Sequence, residues 1–251
     1  MSAPVPNRRQ TRPVRRAPRL RRLSRRAPGP QLTARDLEIV RFITRHGVVT
    51  SEDVATRFFW REEQNRPGIW AAYRRISALR WLGLILSDKP FANRPTVLRV
   101  TREGARLADV GIAPAPLVLS ELNHSLAVVR VVEQLARDHP GAEITTEREL
   151  RAERYRERRE GDRPVGRGRT PDAILRLAKK DAKRTTETIA IEVDITRKDR
   201  RALERIILAY DHELDVDRVW WYVSPRRAER VRDVVRSLRA ERRIEIREWR
   251  G

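Results

Sequence analysis

The sequence contains no cysteine, which excludes disulfides and cysteine-ligated metal sites. No apolar run approaches the roughly 18–20 residues that a membrane-spanning helix needs, and the N-terminus lacks the apolar segment of a signal peptide. Lysine is scarce as well, since only five of the 56 basic residues are Lys. We therefore expect a cytoplasmic protein without a membrane partner. The expected binding partner is inferred from the total positive charge and not from the preference for Arg over Lys.

Acidic residues are absent from residues 1–30, which contain ten Arg. This stretch has too few apolar groups to offset the entropy of ordering it, so it is predicted to be a disordered basic tail. We interpret the tail as an arm that contacts phosphates, and the alternative is a solvated extension without a role. Residues 31–251 remain basic, with 46 Lys and Arg against 35 Asp and Glu, so double-stranded DNA is the expected partner.

Residues 31–112 have the pattern of three helices followed by a hairpin. Thr33 and Thr50 are candidate N-caps, and Gly47 is expected to end the first helix. The segments LGLILSD and TVLRVT predict two strands joined by the turn KPFANRP. This order predicts a winged helix-turn-helix DNA-binding domain. The alternative is a helical domain whose hairpin binds protein or dimerises, which leaves a homo-oligomer open.

The third helix of this domain is the expected reader of a DNA groove. Its apolar residues recur at three-residue steps, and we interpret them as the buried stripe: Trp70, Tyr73, Ile76 and Leu79. The basic residues off that stripe and in the wing are the predicted DNA contacts: Arg74, Arg75, Arg80 and Arg94. The sequence does not distinguish phosphate contacts from base contacts.

Residues 117–251 follow the linker APAP and alternate helices with strands, so the expected fold class is α+β or α/β. Residues 151–170 are highly charged and are predicted to form a mobile loop or a charged extension. The strand DRVWWYVSP is apolar on both faces, which implies a sheet that is covered on both sides.

Three carboxylates interrupt two apolar strands, PDAILRL and TIAIEVDI. Alternation places Glu192 and Asp194 on the face opposite Ile191, and a hairpin centred near Ala182 puts Asp172 opposite Glu192. Carboxylates that face each other repel unless a cation lies between them, so the pattern predicts a divalent metal site. The alternative is a solvent-exposed acidic face that basic loops neutralise.

Pro171-Asp172 on one strand and Glu192-Val193-Asp194 on the next resemble the PD-(D/E)XK nuclease fold. That resemblance implies Mg²⁺ held by Asp172, Glu192 and Asp194, with a Lys that helps orient or activate the attacking water. Position 194, where the fold has its Lys, is Asp here. Lys198 is the nearest replacement and is expected to reach back into the site.

The chain as a whole is similar to the replication-relaxation family of plasmids and mobile elements. The similarity covers roughly residues 31–223, through LTARDLEIVRFITRHGVVTSEDVATRFF, WLGLI, VTREGARL, NHSLAVV, TERELR, PDAIL and IEVDIT in that order. It implies DNA binding in the replication or transfer of such an element, with other replication or transfer proteins as partners. It also adds His124, from the preceding helix, and Glu147, from the preceding strand, as companions of the acids.

Two functions remain open. The retained acids favour a DNA-binding protein with a nuclease-like domain that cleaves or nicks DNA with Mg²⁺. The missing Lys favours a non-enzymatic replication accessory factor or transcriptional regulator that keeps the nuclease-like fold as a relic. A tyrosine relaxase is disfavoured, because its metal site needs clustered His and the four His of this chain are scattered.

Overall fold

A computed structural model describes residues 30–160, 169–178, 186–211 and 215–250. The predicted tail at residues 1–29 and the centre of the predicted acidic hairpin at residues 179–185 lie outside the described residues. From Leu32 onward the chain forms one compact unit of mixed α/β class. None of the helices in the described ranges is long and apolar enough to cross a membrane.

The first half of this unit is mainly helical. Its elements are α1 Ala34–His46, β1 Val49–Thr50, α2 Ser51–Phe58, β2 Trp60–Arg61, β3 Arg66–Pro67, α3 Ile69–Trp81, β4 Ile85–Asp88, β5 Val97–Val100 and α4 Arg102–Ala108. Strands β4 and β5 form the predicted antiparallel hairpin, and β1 pairs with the other edge of β5. The small β2–β3 pair was not predicted, because two-residue strands are too short to show an alternating pattern.

Side-chain caps begin the first two helices where the sequence predicts them. Asp36 accepts hydrogen bonds from the backbone N–H and the hydroxyl of Thr33, at 2.6 and 2.7 Å. Thr50 and Asp53 form the equivalent capping box on α2, in which the Thr50 hydroxyl accepts the Asp53 N–H at 3.1 Å. Both boxes satisfy N–H groups that have no partner within the helix.

The predicted buried stripe of α3 is wrong at its N-terminal end. Ala72, Ile76 and Leu79 are buried, whereas Trp70 is 80% exposed and Tyr73 is also exposed. An α-helix turns about 100° per residue, so each three-residue step drifts by about 60° around the axis. Over three such steps the drift reaches about half a turn, and Trp70 therefore points away from Leu79.

The prediction that Arg75 lies on the exposed side of α3 is also wrong. Its guanidinium is only 23% exposed and forms an ion pair and hydrogen bonds with the fully buried carboxylate of Asp36 on α1. Burial alone would raise the pKa of Asp36, but the hydrogen bonds from Arg75 and Thr33 hold this pKa below its ordinary value. The pair links α1 to α3 within the core of Ile39, Ile43 and neighbouring residues.

Arg75→Ala is therefore expected to destabilise the protein by about 3 kcal/mol, because it leaves the buried Asp36 carboxylate without its cation. Arg74→Ala is the matched control, since Arg74 is the adjacent residue and its side chain is exposed. Urea denaturation of both variants measures the difference. Equal unfolding free energies for the two would remove Asp36 and Arg75 as a stabilising pair.

The second half of the unit contains a five-stranded sheet with helices. Its elements are α5 Leu122–Asp138, β6 Glu143–Thr146, α6 Glu147–Glu160, β7 Ala173–Ala178, β8 Thr186–Asp194, α7 Arg200–Asp211, β9 Arg218–Val223, α8 Pro225–Ser237 and β10 Ile244–Glu248. The strand order is β10-β9-β8-β7-β6, with parallel pairing among β8, β9 and β10 and antiparallel pairing among β6, β7 and β8.

Both faces of this sheet are covered, as the sequence predicts. Ile189 and Ile191 of β8 pack with α5, while Ala190 of β8 packs with residues of α7 and α8. The predicted register is confirmed as well, because Ala173 pairs with Ile191 and the pairs along β7 and β8 continue in step. The acids of β8 consequently lie beneath helices, and the alternative of a solvent-exposed acidic face is wrong.

Residues 151–170 were predicted to form a mobile loop or a charged extension. The loop is wrong for residues 151–160, which belong to the charged helix α6, whereas the charged extension is confirmed there; residues 161–168 lie outside the described residues. This helix has no buried residue, so it lacks the apolar periodicity from which a helix is predicted. Pairs one turn apart, such as Glu147 with Arg151, support it instead. Glu147 is the first residue of α6 and does not belong to the preceding strand.

The helical half and the sheet-containing half are joined by partly buried polar contacts. Arg45 of α1 donates to the Ile144 carbonyl at 2.6 Å and to Glu149 at 2.7 Å. The hydroxyl of Thr146 donates to the Arg45 carbonyl at 3.0 Å. The buried imidazole of His46 lies between these elements, and burial, with nearby Arg side chains, lowers its pKa to about 3. The end of α1 is thus fixed against β6 and α6.

Candidate functional site

The sheet brings two of the predicted acids close together. The Asp172 N–H donates to the Ile191 carbonyl at 3.0 Å, just beyond the last β7–β8 pair, Ala173 with Ile191, and, besides burial, the negative charge of Asp172 lies near enough to raise the pKa of Glu192. Asp194 follows two residues later, at the end of β8 where the parallel pairing with β9 also ends. All three carboxylates are buried. Alternation along β8 places Glu192 and Asp194 on the same face of the sheet.

Asp172 is held by α5 and by the neighbouring strand. One carboxylate oxygen lies 3.0 Å from Nε2 of His124, and the other accepts the Val193 N–H at 2.7 Å. The hydrogen bond with Asp172 raises the pKa of His124, against the opposing effect of burial. His124, which the resemblance adds as a companion of the acids, is therefore in direct contact with one of them.

Glu192 has the most complete set of partners. Arg169 donates from Nε and Nη2 to the two carboxylate oxygens, at 2.7 and 3.0 Å. The Tyr210 hydroxyl of α7 donates to one of the same oxygens. Burial raises the pKa of Glu192 while Arg169 opposes that rise. Burial and the carboxylate together raise the pKa of Tyr210, so its hydroxyl remains a donor.

Asp194 is neutralised by the replacement lysine. Nζ of Lys198 lies 2.7 Å from a carboxylate oxygen of Asp194, and the Thr196 N–H donates to the same oxygen at 3.2 Å. Lys198 belongs to the turn between β8 and α7, two residues before the helix starts. The expected reach of this lysine back to the acids is thus present, with Asp194 as its partner.

Glu147 reaches the cluster through its backbone. Its N–H donates to the Asp172 carbonyl at 3.0 Å, while its side chain pairs with Arg151. Burial raises the pKa of the Glu147 carboxyl group. It therefore fixes the segment that carries Asp172 without contacting the other acids.

Carboxylate oxygens are the donors that Mg²⁺ prefers, yet the residues present do not fit an open metal site. All four oxygens of Asp172 and Glu192 are occupied by donors of this chain. Across the described ranges, no three or more His, Asp or Glu side chains form a group that could hold a metal ion. A metal at Glu192 would have to displace Arg169.

A second candidate site is the exposed face of α3. Trp70, Tyr73 and Trp81 are exposed there, and the rings of Trp70 and Tyr73 meet edge to face with centroids 6.3 Å apart. Arg74 and Arg80 are also exposed, and neither side chain has a hydrogen bond or ion pair to any residue in the described ranges. Residues 64–87 contain no Asp or Glu. We call these three aromatic and two Arg residues the α3 face.

The turn between β4 and β5 adds an exposed Phe91 and an exposed Arg94. Of the four predicted DNA contacts, Arg74, Arg80 and Arg94 are thus accessible, whereas Arg75 is occupied by Asp36. Trp70 and Tyr73 were missed because they were assigned to the buried stripe, and Trp81 was given no role. A helical projection at 100° per residue would have placed Trp70 and Trp81 on one side.

The chain matches no protein-family model, and no curated protein matches it.

The contact of Glu192 with Arg169 predicts a defined pH dependence of the free energy of unfolding. Arg169→Met removes the cation, so the pKa of the buried Glu192 should rise further above its unfolded value. Below the pKa that Glu192 has in the folded wild type, its carboxyl group is protonated in both folded proteins, so pH changes their stabilities equally. Above that pKa the wild-type group ionises while the group in the variant stays protonated, so the deficit should grow as pH rises, by up to about 1.4 kcal/mol per unit until Glu192 of the folded variant also ionises.

Urea denaturation of wild type and Arg169→Met between pH 4 and pH 8 gives this difference. Glu192→Gln in the Arg169→Met background is the control, and it should remove the pH dependence. A deficit that is constant with pH would mean that Arg169 acts through packing and not through the charge of Glu192.

Proposed function

We propose that the protein binds DNA through the α3 face and the turn between β4 and β5. The observation that carries the proposal is the composition of the α3 face, where exposed aromatic rings and unpaired Arg side chains occur without an acidic residue. Guanidinium groups bind phosphates and base edges, and aromatic rings stack on bases or contact thymine methyl groups. An acid-free surface of this kind attracts a polyanion.

The order of elements supports the same proposal. Helices α1, α2 and α3 precede the β4–β5 hairpin, and β1 completes a three-stranded sheet. This is the arrangement expected of a winged helix-turn-helix domain, in which the third helix enters the major groove and the hairpin contacts the backbone. The major groove, about 12 Å wide, admits one α-helix.

The proposed biological role follows the resemblance of the sequence to the replication-relaxation family. We place the protein in the replication or transfer of a plasmid or mobile element, as a non-enzymatic accessory factor or regulator. The neutralised acids support this choice over cleavage, because each carboxylate has a partner within the chain. The half with the five-stranded sheet then serves as a nuclease-like scaffold.

Replacing Arg74 and Arg80 together by Ala is expected to weaken duplex binding and to lower the slope of log K against log salt by up to about 2, because two phosphate contacts no longer release counterions. Fluorescence anisotropy with a labelled duplex at several salt concentrations measures both effects. Trp70→Ala should weaken binding without changing the slope, since it removes no charge.

Arg201→Ala combined with Arg205→Ala is the matched control, because both residues are exposed on α7 and the charge change is the same. If the control pair and the Arg74 and Arg80 pair lose affinity equally, general charge accounts for binding and the α3 face is not the site.

Mg²⁺-dependent cleavage is the second candidate. The contact of Lys198 with Asp194 favours it, because it brings a lysine to the acids despite the Asp at position 194. Cleavage would require Arg169 to leave Glu192. Our proposal expects the opposite, namely that melting is independent of metal and that supercoiled plasmid is not nicked.

Thermal melts of wild type and Asp172→Asn, with and without Mg²⁺, distinguish the two candidates. Without metal the variant should be less stable by about 1–2 kcal/mol, since it weakens the hydrogen bonds of His124 and the Val193 N–H. A live metal site would stabilise only the wild type, by about 2.7 kcal/mol at a hundredfold excess of Mg²⁺ over its dissociation constant. Stabilisation of the wild type alone by Mg²⁺, together with nicking that is lost in Asp172→Asn and Glu192→Gln, would establish cleavage instead.

A further inference from the structure

A cavity of about 300 Å³ lies between the turn that follows β8 and the first turns of α7 and α8. It is lined by five cationic side chains and one carboxylate: Arg197, Lys198, Arg226, Arg227, Arg230 and Asp194. We call it the basic cleft. The acidic cluster borders it through Asp194 alone, and none of the α3 face residues lines it.

Most of the charge in the basic cleft is uncompensated. Lys198 and Asp194 neutralise each other at 2.7 Å. The side chains of Arg197, Arg226 and Arg230 are exposed, and none of them has a hydrogen bond or ion pair to another residue in the described part of the chain. A concave surface with this excess of positive charge concentrates field lines and attracts anions.

Arg227 adds a fixed positive charge to the wall of the cleft. Its Nε donates to the Ser224 hydroxyl at 3.0 Å and its Nη2 to the Ile195 carbonyl at 2.7 Å, so the guanidinium is held from two sides. Its Nη1 is buried and lies 3.9 Å from a carboxylate oxygen of Asp194, too far for a hydrogen bond. Arg227 therefore contributes charge to the cleft rather than an exposed donor.

The start of α8 reinforces the same site. Ser224 is its N-cap residue, but its side chain does not cap the helix, because Arg227 uses the hydroxyl. Pro225 occupies the first turn and has no N–H to offer. The positive end of the helix dipole therefore faces the cleft without a side-chain acceptor, which favours an anion there.

We infer that the basic cleft is a binding site for a phosphate group. A phosphate has several acceptor oxygens and the negative charge that the donors lack, and Arg forks match its geometry. The source is either the backbone of a bound nucleic acid or a free phosphate compound. The inference does not rest on the proposed function, since the α3 face and the basic cleft share no residue.

Arg226→Ala combined with Arg230→Ala tests the site with two kinds of probe. Calorimetric titration with inorganic pyrophosphate reports on a free phosphate compound, and anisotropy with a labelled duplex reports on nucleic acid. We expect the cleft pair to weaken binding of at least one probe tenfold or more. Both residues are exposed, so the variant should melt like the wild type.

The control is again Arg201→Ala combined with Arg205→Ala, which removes the same charge from α7 outside the cleft. Loss of duplex affinity alone in the cleft pair identifies a backbone phosphate as the occupant, and loss of pyrophosphate binding identifies a free phosphate compound. Equal effects in the cleft and control pairs, or no effect on either probe, would overturn the inference. The variant with Arg74→Ala and Arg80→Ala tests the proposed DNA-binding role of the α3 face separately.

Discussion

The burial of four carboxylates is the constraint on which much of this structure depends. An ionised carboxylate loses several kcal/mol of hydration when it is buried, and the fold can tolerate it only with a cation or donors in hydrogen-bonding contact. Each buried acid in the described ranges has a basic partner: Asp36 has Arg75, Asp172 has His124, Glu192 has Arg169 and Asp194 has Lys198. Each pair therefore fixes the relative position of two segments.

The same constraint bears on the two chemistries that the acids could support. A metal site and a salt bridge are alternative ways to compensate neighbouring carboxylates, and a cation that already binds both oxygens of a carboxylate competes with a metal for them. Here Arg169 takes both oxygens of Glu192, and Tyr210 adds a third hydrogen bond. The bidentate geometry makes Arg169 a strong competitor for any cation, because it satisfies charge and hydrogen bonding together. The acids are thus explained without a metal.

The sequence predicted what depends on short-range periodicity with strong burial. The β7–β8 register followed from odd positions that are apolar in both strands, and a slip of one residue would have exposed every one of them. Prediction from the sequence failed where side chains are weakly buried. Neither the exposed position of Trp70 nor the helical structure of α6 produces a clear apolar pattern, because exposed helical positions accept aromatic and charged residues alike.

The basic partners of the buried acids could not be predicted for a different reason, namely their distance along the chain. Asp36 and Arg75 are 39 residues apart, and Asp172 and His124 are 48 apart. The three-residue pattern read along α3 did not distinguish Arg75 from Arg74, although a projection at 100° per residue places Arg75 beside the buried Leu79 and Arg74 beside the exposed Trp70. The basic residues that are closer to Asp172 in the sequence have other partners, since Arg176 pairs with Glu143 and Lys198 with Asp194.

This difference between paired and unpaired Arg bears on how so basic a chain can bind selectively. An Arg that is paired with a buried acid cannot turn to a phosphate without leaving that acid uncompensated, so its charge is unavailable. Affinity must then come from the arginines that have no acid. These include two on the α3 face and three in the basic cleft, but also others such as Arg201 and Arg205 of α7. Pairing therefore removes some arginines from contact with an anion, and the aromatic rings of the α3 face and the concave shape of the basic cleft must distinguish those two surfaces from the remaining exposed arginines.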